Sequence, residues 1–538
     1  MSKAKENSNQ IFDAIVIGAG ISGMYQLYSL RKLGKSVKVL EAGSDVGGTW
    51  YWNRYPGCRF DSESYSYAYS FSQEVLDEWN WTEHFSPQPE TLKYLQYVAE
   101  KFDLKKDIQF NSKVNSAIYN SETDRWRVQT DKGEVIETMF LITAIGALSA
   151  PYIPEFSGRE KFEGGSWHTS QWPKKEVDLS NKRVGVIGTG ATAVQMITEI
   201  SKNVGELFVF QLKPEYCVPL GNSKIDDEAQ KDIKNRYPEI FKKCKESFGS
   251  FLHDFDERSA LEVPAEERER LYEKLWAQPG FGLWLGNFHD ILTNQEANDT
   301  VSEFVRKKIK EQVNDPETAE KLCPKDHGFG TRRVPLESGY YKAYNRPNVH
   351  LVDISETPIK EITQSGIQIE GEAIDLDIII YATGFDAITG AFKNIEISGE
   401  NGQKLDEKWK DGPSTYLGMQ TQGFPNFFTL VGPHNGSTFC NIPRCIEQNV
   451  EWVTDCIKYM SDNGYKKIET EKKAEEEWTR HVYEVAEPSL LMKTDSWFVG
   501  ANIPGKKRNF LMYAGGSPTY RAKCEEIAAN GYQGFKLT

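Results

Sequence analysis

FDAIVIGAGISG, residues 12–23, decides how the rest of the chain is read. Phe12 to Ile17 is a short, β-branched apolar run, Gly18-Ala19-Gly20-Ile21-Ser22-Gly23 follows, an amphipathic stretch continues to Leu33, and a second apolar run covers Val37 to Leu40. That order is strand, tight glycine turn, helix, strand. The three glycines serve different ends, since Gly18 permits the turn, Gly20 lets backbone approach a pyrophosphate, and Gly23 lets the helix pack closely on the strand. The helix N-terminus then offers free N–H groups and a positive dipole end to phosphates. Glu41 ends the second strand 23 residues after Gly18, where a carboxylate accepts the hydroxyls of a ribose. An incidental glycine turn would leave this register of strand, helix and acid unexplained.

A unit of this kind at the start of a chain is read as an FAD site. The pattern recurs as Arg183 to Ile187, then Gly188-Thr189-Gly190-Ala191-Thr192-Ala193, a helix to about Lys202 and a strand from Leu207 to Phe210. Ala193 replaces the third glycine, a permitted variant. The offset that leads from Gly18 to Glu41 leads from Gly188 to Gln211. A neutral amide there removes the repulsion that a 2′-phosphate would feel, and Lys213 adds charge, so the second unit is read as built for NADP rather than NAD. A solvated loop lysine is the alternative for Lys213. Two such units in one chain imply hydride passing from a nicotinamide to a flavin.

The totals agree with an ordinary globular protein of two or three domains: 538 residues, 39% hydrophobic and 26% charged. A formal charge of −14 offers no basic stripe for a phosphate backbone, so no nucleic-acid partner is expected. MSKAKENSNQ at the start lacks an apolar core, and no apolar run reaches spanning length, so a cytoplasmic protein without a membrane partner is expected. The eight cysteines are too sparse for a disulfide framework and are read as reduced. Cys440 and Cys445 enclose four residues, as the redox pair of disulfide reductases does. There, however, the pair follows a Gly-Gly-Thr turn, and here Gly47-Gly48-Thr49 leads into Trp50-Tyr51-Trp52, so the spacing is read as coincidence. No Cys or His spacing suits a metal.

FEGGSWHTSQWP, residues 162–173, shows neither helical stripe nor clean alternation. Phe162, Gly164, His168 and Trp172-Pro173 stand as F-x-G-x-x-x-H-x-x-x-W-P just before the second nucleotide unit, a pattern that resembles the fingerprint of the Baeyer–Villiger monooxygenases. The resemblance covers nearly the whole chain, through GGTWYWNRYPGCRFDSESYSY (47–67), GTRRVPLESGYY (330–341), YATGFDA (381–387), GPSTYLG (412–418) and SWFVGANIPGK (496–506). It implies an FAD-containing, NADPH-dependent enzyme that takes a ketone and O₂ and inserts one oxygen atom beside the carbonyl through a C4a-peroxyflavin. The product is an ester or lactone, and sulfide oxidation is a plausible side activity.

The resemblance also assigns residues. Arg333 matches the active-site arginine; a guanidinium keeps its charge at any working pH and suits an oxyanion. Asp61 matches the carboxylate that positions it beside the flavin. Arg332 stands where relatives often have lysine, in contact with the 2′-phosphate, and Trp497 matches a tryptophan bonded to the nicotinamide-side ribose. Thr49, Trp50, Tyr67 and Ile442 fall at flavin contacts, and the loop Gly436 to Ile442 at the substrate pocket. His168 is implied to couple cofactor binding to domain motion. A hydrogen-bonded linker histidine is the bland alternative, as ordinary packing is for Tyr67, Ile442 and Trp497. Leu212 departs from the pattern, because relatives often place a phosphate-clamping arginine there.

The expected architecture is α/β: two Rossmann-like dinucleotide-binding domains, for FAD and NADP, with a helical insertion. The FAD domain is expected at 1–150 and 385–538, the NADP domain at 151–220 and 331–384, and the insertion at 221–330. Trp79, Trp81, Trp276 and the run 490–492 are read as core, and Lys467 to Arg480 as a solvated helix face. The nearest rivals are flavin-containing or N-hydroxylating monooxygenases, which oxygenate soft nucleophiles, and a flavoprotein that only senses or passes electrons.

Overall fold

Two sheets, each grown around one strand–turn–helix–strand unit, organise the chain in the computed structural model, which describes residues 11–436 and 440–538. In the first, β1 (Ile11–Ile17) feeds α1 (Ile21–Lys32) and returns as β2 (Val37–Leu40), with β3 (Val135–Thr143) on the other side of β1; β1 runs parallel to both neighbours. The inner half of β1 is wholly buried, as a central parallel strand covered on both faces must be. Antiparallel strands Val114–Asn120 and Arg125–Thr130 extend the sheet beyond β3.

The second sheet is parallel throughout. β4 (Gly165–His168), β5 (Arg183–Ile187), β6 (Glu206–Gln211), β7 (Val349–Asp353) and β8 (Ile378–Tyr381) lie in the order β7-β6-β5-β8-β4, with α2 (Ala191–Ile200) joining β5 to β6. The strand β4 corrects the reading of residues 162–173 as no ordinary element. An edge strand pairs on one side only and needs no alternation. The backbone of β8 supplies its register, Ile380 against Trp167 and Tyr381 against His168.

The chain leaves the first sheet after β3 and returns to it through Glu396–Ser398 and Phe427–Thr429, both parallel to their neighbours there. The two crossings touch: Tyr152 N–H donates to Gly384 O at 2.9 Å, and Pro151 bridges Phe385. Residues 221–330 carry helices, the longest being Asp227–Glu246 and Gln295–Gln312. No helix among the described residues is long and apolar enough to cross a membrane.

Three local expectations are corrected. Helix α1 is not amphipathic: Ser22 to Leu27 and Leu30 are all buried, because the helix Ile442–Asp462 covers its outer side, where Tyr25 Oη donates to Glu451 at 3.2 Å and Gln26 Nε2 to Thr454 Oγ1 at 3.0 Å. The segment 467–480 is not one solvated face; Ile468–Thr470 is a strand, and the following helix buries Glu475 and Trp478. Cys440 and Cys445 are not reduced but joined in a disulfide, since the first turn of the helix Ile442–Asp462 folds them to a Cα separation of 6.6 Å. The other six cysteines are free and buried.

The first glycine turn is held by sterics. Gly18 has φ +103°, and a Cβ on Gly23 would lie 1.8 Å from Gly18 O. At Gly190 a Cβ would meet nothing within 4 Å. Gly23→Ala is therefore expected to lower the melting temperature by about 5 °C or more, whereas Gly190→Ala melts with the parent. Thermal melts followed by circular dichroism check the contrast, and equal melting of the two variants would refute it.

Candidate functional site

An ion pair joins the two nucleotide-binding domains. Asp61 comes from the loop after the first nucleotide unit, Arg333 from the segment that re-enters the second domain, and Arg333 Nη2 donates to Asp61 Oδ2. Arg333 Nη1 also donates to Val334 O at 3.2 Å, and its guanidinium sits 5.5 Å from the centre of the Phe281 ring. The Asp61 side chain is 8% exposed and that of Arg333 29%, so the carboxylate is sealed while the cation keeps an open face. Behind Asp61, Gln195 on α2 donates from Nε2 to Asp61 Oδ1 at 3.4 Å and to Arg59 O at 3.0 Å, while its Oε1 accepts from Tyr55 Oη at 2.9 Å. Sequence reasoning missed Gln195. Its signal was a polar residue one turn into the helix of the second unit, on a face that needs to be apolar unless it meets a polar partner.

At the first turn Glu41 is buried and accepts from the N–H of Ala19 at 2.7 Å and of Gly43 at 2.6 Å. Burial raises its pKa, against the opposing pull of those two donors. A carboxylate has about four lone-pair sites, so two remain for ribose hydroxyls. Gly20 at the N-terminus of α1 caps it with no side chain, leaving first-turn N–H groups for an anion.

An aromatic wall continues from Asp61. Trp50 is buried and donates from Nε1 to Tyr67 Oη at 3.1 Å, and Tyr67 stacks on Phe60 at 4.4 Å; Thr49, one residue earlier, is exposed. Ile442 is 37% exposed at the head of its helix. The residue before it, Asn441, donates from Nδ2 to Ser66 Oγ at 3.1 Å and accepts at Oδ1 from Ser62 Oγ at 3.2 Å. Of the loop 436–442, residues 437–439 lie outside the described residues.

In the second unit Gly188 and Gly190 form the turn ahead of α2, Gly190 again caps the helix with no side chain, and Ala193 is fully buried against the sheet. The empty space over Gly190 is what a pyrophosphate would fill. Gln211 is buried and donates to Lys321 O at 2.8 Å. Lys213 and Arg332, far apart in sequence, come together on Asp326 Oδ2, at 3.1 and 2.9 Å. Arg332 Nε donates to Asp495 O at 2.9 Å, which brings in the segment carrying the half-buried Trp497. Leu212 is 58% exposed beside them. Asp326 and its neighbours Glu215 and His327 were not singled out from sequence, although Asp326 and His327 stand just ahead of GTRRVPLESGYY. Both turns, with open N–H groups and room for backbone approach, fit dinucleotides.

The fingerprint residues hold the crossing together. His168 is buried; its Nε2 donates to Gly384 O at 3.0 Å and its Nδ1 accepts from Ser170 N–H at 3.2 Å, a tautomer assigned from these partners. Burial pushes its pKa down to about 4, outweighing the Gly384 contact. A Cβ on Gly164 would lie 2.3 Å from Asp377 O, Phe162 packs against the apolar cluster that includes Ile362, Ile374 and Leu376, and Trp172 is buried edge-on to Trp167 at 5.9 Å.

The family model described as flavin-binding monooxygenase-like matches residues 13–218. The 2-oxo-Δ3-4,5,5-trimethylcyclopentenylacetyl-CoA monooxygenase of Pseudomonas putida is 48% identical over 98% of this chain and 98% of its own. The Baeyer–Villiger monooxygenase of Pseudooceanicola batsensis is 43% identical over 99% of this chain and 98% of its own. The crystal structure of OTEMO in complex with FAD and NADP superposes with a TM-score of 0.95 at 48% identity, covering 98% of this chain and 99% of that one.

A neutral His168 has a consequence in solution. In the unfolded chain it titrates near 6.5 and in the fold near 4, so the unfolded state binds the extra proton between those values. Its contribution to stability is complete above pH 6.5 and is lost as pH falls toward 4. Imidazole resonances assigned by NMR are expected to show His168 neutral at pH 6; a charged ring there would refute this.

Proposed function

The chain belongs to the Baeyer–Villiger monooxygenases, and from that premise we propose that Arg333 and Asp61 form the centre at which it inserts one oxygen atom of O₂ beside a ketone carbonyl, giving an ester or lactone. Bound FAD, reduced by NADPH, supplies the activated oxygen. Glu41, the uncapped head of α1 and the wall of Trp50 and Tyr67, with Thr49 and Ile442 at its ends, are the residues proposed to hold the flavin. Gly190, Lys213, Arg332 and Trp497 are proposed to hold the coenzyme.

The observation that carries this reading is the asymmetry of the central pair. A buried carboxylate fixes a guanidinium whose other face stays open. As oxygen adds to a carbonyl carbon, negative charge grows on the carbonyl oxygen, and a preoriented cation lowers that barrier without reorganising. Arg333 is the group placed to do this, and lysine would not substitute, because the planar fork is what Asp61 and Val334 O orient. Asp61 acts through Arg333 by setting its direction, and Gln195 sets Asp61 from the side of the second domain. His168, neutral and bonded to Gly384, is proposed to tie β4 to the returning chain so that the domains move as units about that joint.

The 42% identity to the phenazine N-monooxygenase PhzNO1 of Lysobacter antibioticus favours one second reading, oxygenation of a soft nitrogen or sulfur centre. A panel of cyclic, linear and aryl ketones beside amines and sulfides separates the two: ester or lactone supports the first, N- or S-oxide alone the second, and peroxide alone neither.

Arg333→Ala is expected to keep NADPH-driven flavin reduction while ester formation falls about 10²-fold or more, the electrons leaving as hydrogen peroxide. Stopped-flow reduction and product analysis by gas chromatography check this. An unchanged ester yield would remove Arg333 from the reaction.

A further inference from the structure

We infer that Asp326 sets how strongly the enzyme prefers NADPH over NADH, by giving Lys213 and Arg332 a shared carboxylate in place of a coenzyme phosphate. The inference rests on the coenzyme site proposed above and concerns a residue of opposite charge to those usually credited with selectivity.

The geometry is specific. A single oxygen, Asp326 Oδ2, receives Lys213 Nζ at 3.1 Å and Arg332 Nη2 at 2.9 Å, and the other oxygen meets His327 Nδ1 at 2.8 Å. Arg332 is further engaged by Asp495 O at 2.9 Å through Nε and by Glu215 Oε1 at 3.6 Å through Nη1, and its side chain is only 10% exposed. The guanidinium is thus occupied on three sides by protein acceptors. Lys213 and Asp326 sit at the open rim, 47% and 38% exposed. An incoming phosphate meets a cation and an anion side by side.

Charge decides the consequence. Lys213 and Arg332 are offset by Asp326 and Glu215 before any ligand arrives, and Leu212 adds no third fixed cation. Burial alone would raise the Asp326 carboxyl, but His327, Arg332 and Lys213 around it hold it well below the usual carboxylate range, so it is ionised at every working pH. His327 is buried between Asp326 and Glu215, and its pKa is raised by them despite the burial.

Discrimination against NADH comes largely from leaving cations without the phosphate they are built for. Asp326 removes that penalty, because with NADH bound Lys213 and Arg332 still have a carboxylate. It also repels the phosphate of NADPH as the two compete for the same N–H groups. Both effects narrow the preference.

The test uses the FAD-loaded enzyme and Asp326→Asn, which keeps the shape of the side chain and removes its charge. Binding of adenosine 2′,5′-bisphosphate and of adenosine 5′-monophosphate is measured by calorimetry, and anaerobic flavin reduction by NADPH and NADH by stopped flow. The bisphosphate Kd is expected to fall about fivefold to tenfold while the monophosphate Kd stays put, with a parallel rise in the NADPH/NADH ratio of reduction efficiency. The gain is expected to shrink as ionic strength is raised from about 0.05 to about 0.5 M, and to vanish when Lys213→Ala is added. Asp326→Ser serves if the asparagine variant folds poorly. An unchanged or lower ratio in a folded variant overturns the inference, since Asp326 would then only position its neighbours. If the parent enzyme itself fails to favour the bisphosphate over the monophosphate, it is the coenzyme site that falls.

Discussion

One charged contact, Arg333 on Asp61, ties the two nucleotide folds together, and the proposed chemistry depends on it. Neither partner is informative alone: an isolated aspartate after an Arg-Phe pair and an arginine after another arginine are ordinary residues. Burial changes their meaning, because a sealed carboxylate without a partner is costly and one with a bound guanidinium is a fixed orienting device. The cost of separating them is therefore a restraint on how far the domains can move apart while the site remains assembled. Gln195 adds a second restraint in the same place, since it hangs from the helix of one nucleotide unit and reaches the carboxylate and backbone of the other domain.

The crossing peptides bring the outgoing and returning chains together. His168 sits on an edge strand and donates to Gly384 in the returning chain, while Tyr152 N–H donates to the same carbonyl. Outgoing and incoming strands are thus clamped at one oxygen, and a neutral imidazole suits the place, since burial disfavours its charged form.

Much of this was legible in the sequence for a physical reason. A glycine turn between a strand and a helix is a local steric demand, so both nucleotide units could be read from their spacing, and the offset from glycine to acid located Glu41 and Gln211 before any fold was known. Arg333, Asp61 and the fingerprint came from resemblance, not from local chemistry. What spacing could not deliver were contacts between distant segments. The bond from Gln195 to Asp61, the meeting of Lys213 and Arg332 on Asp326, and the burial of α1 under the helix Ile442–Asp462 all depend on tertiary packing. Residues 162–173 were misread for a related reason: the strand is only four residues long, too short to show a pattern, and its register comes from its partner β8. The disulfide of Cys440 and Cys445 depends likewise on where a helix begins.

The neighbours Arg332 and Arg333 show how one short segment can serve two chemistries. They are adjacent in the chain, yet their guanidinium groups face different partners: Arg332 is enclosed by Asp326, Glu215 and the carbonyl of Asp495, while Arg333 has one carboxylate, one carbonyl and an open side. An arginine saturated by protein acceptors can hold an anion only by sharing or exchanging contacts, which suits a coenzyme that has to be selected. An arginine with a vacant face can meet charge that appears only during reaction, which suits catalysis. On the proposed reading, the number of protein anions around each cation, more than the cations themselves, is what would separate binding from chemistry across a single peptide bond.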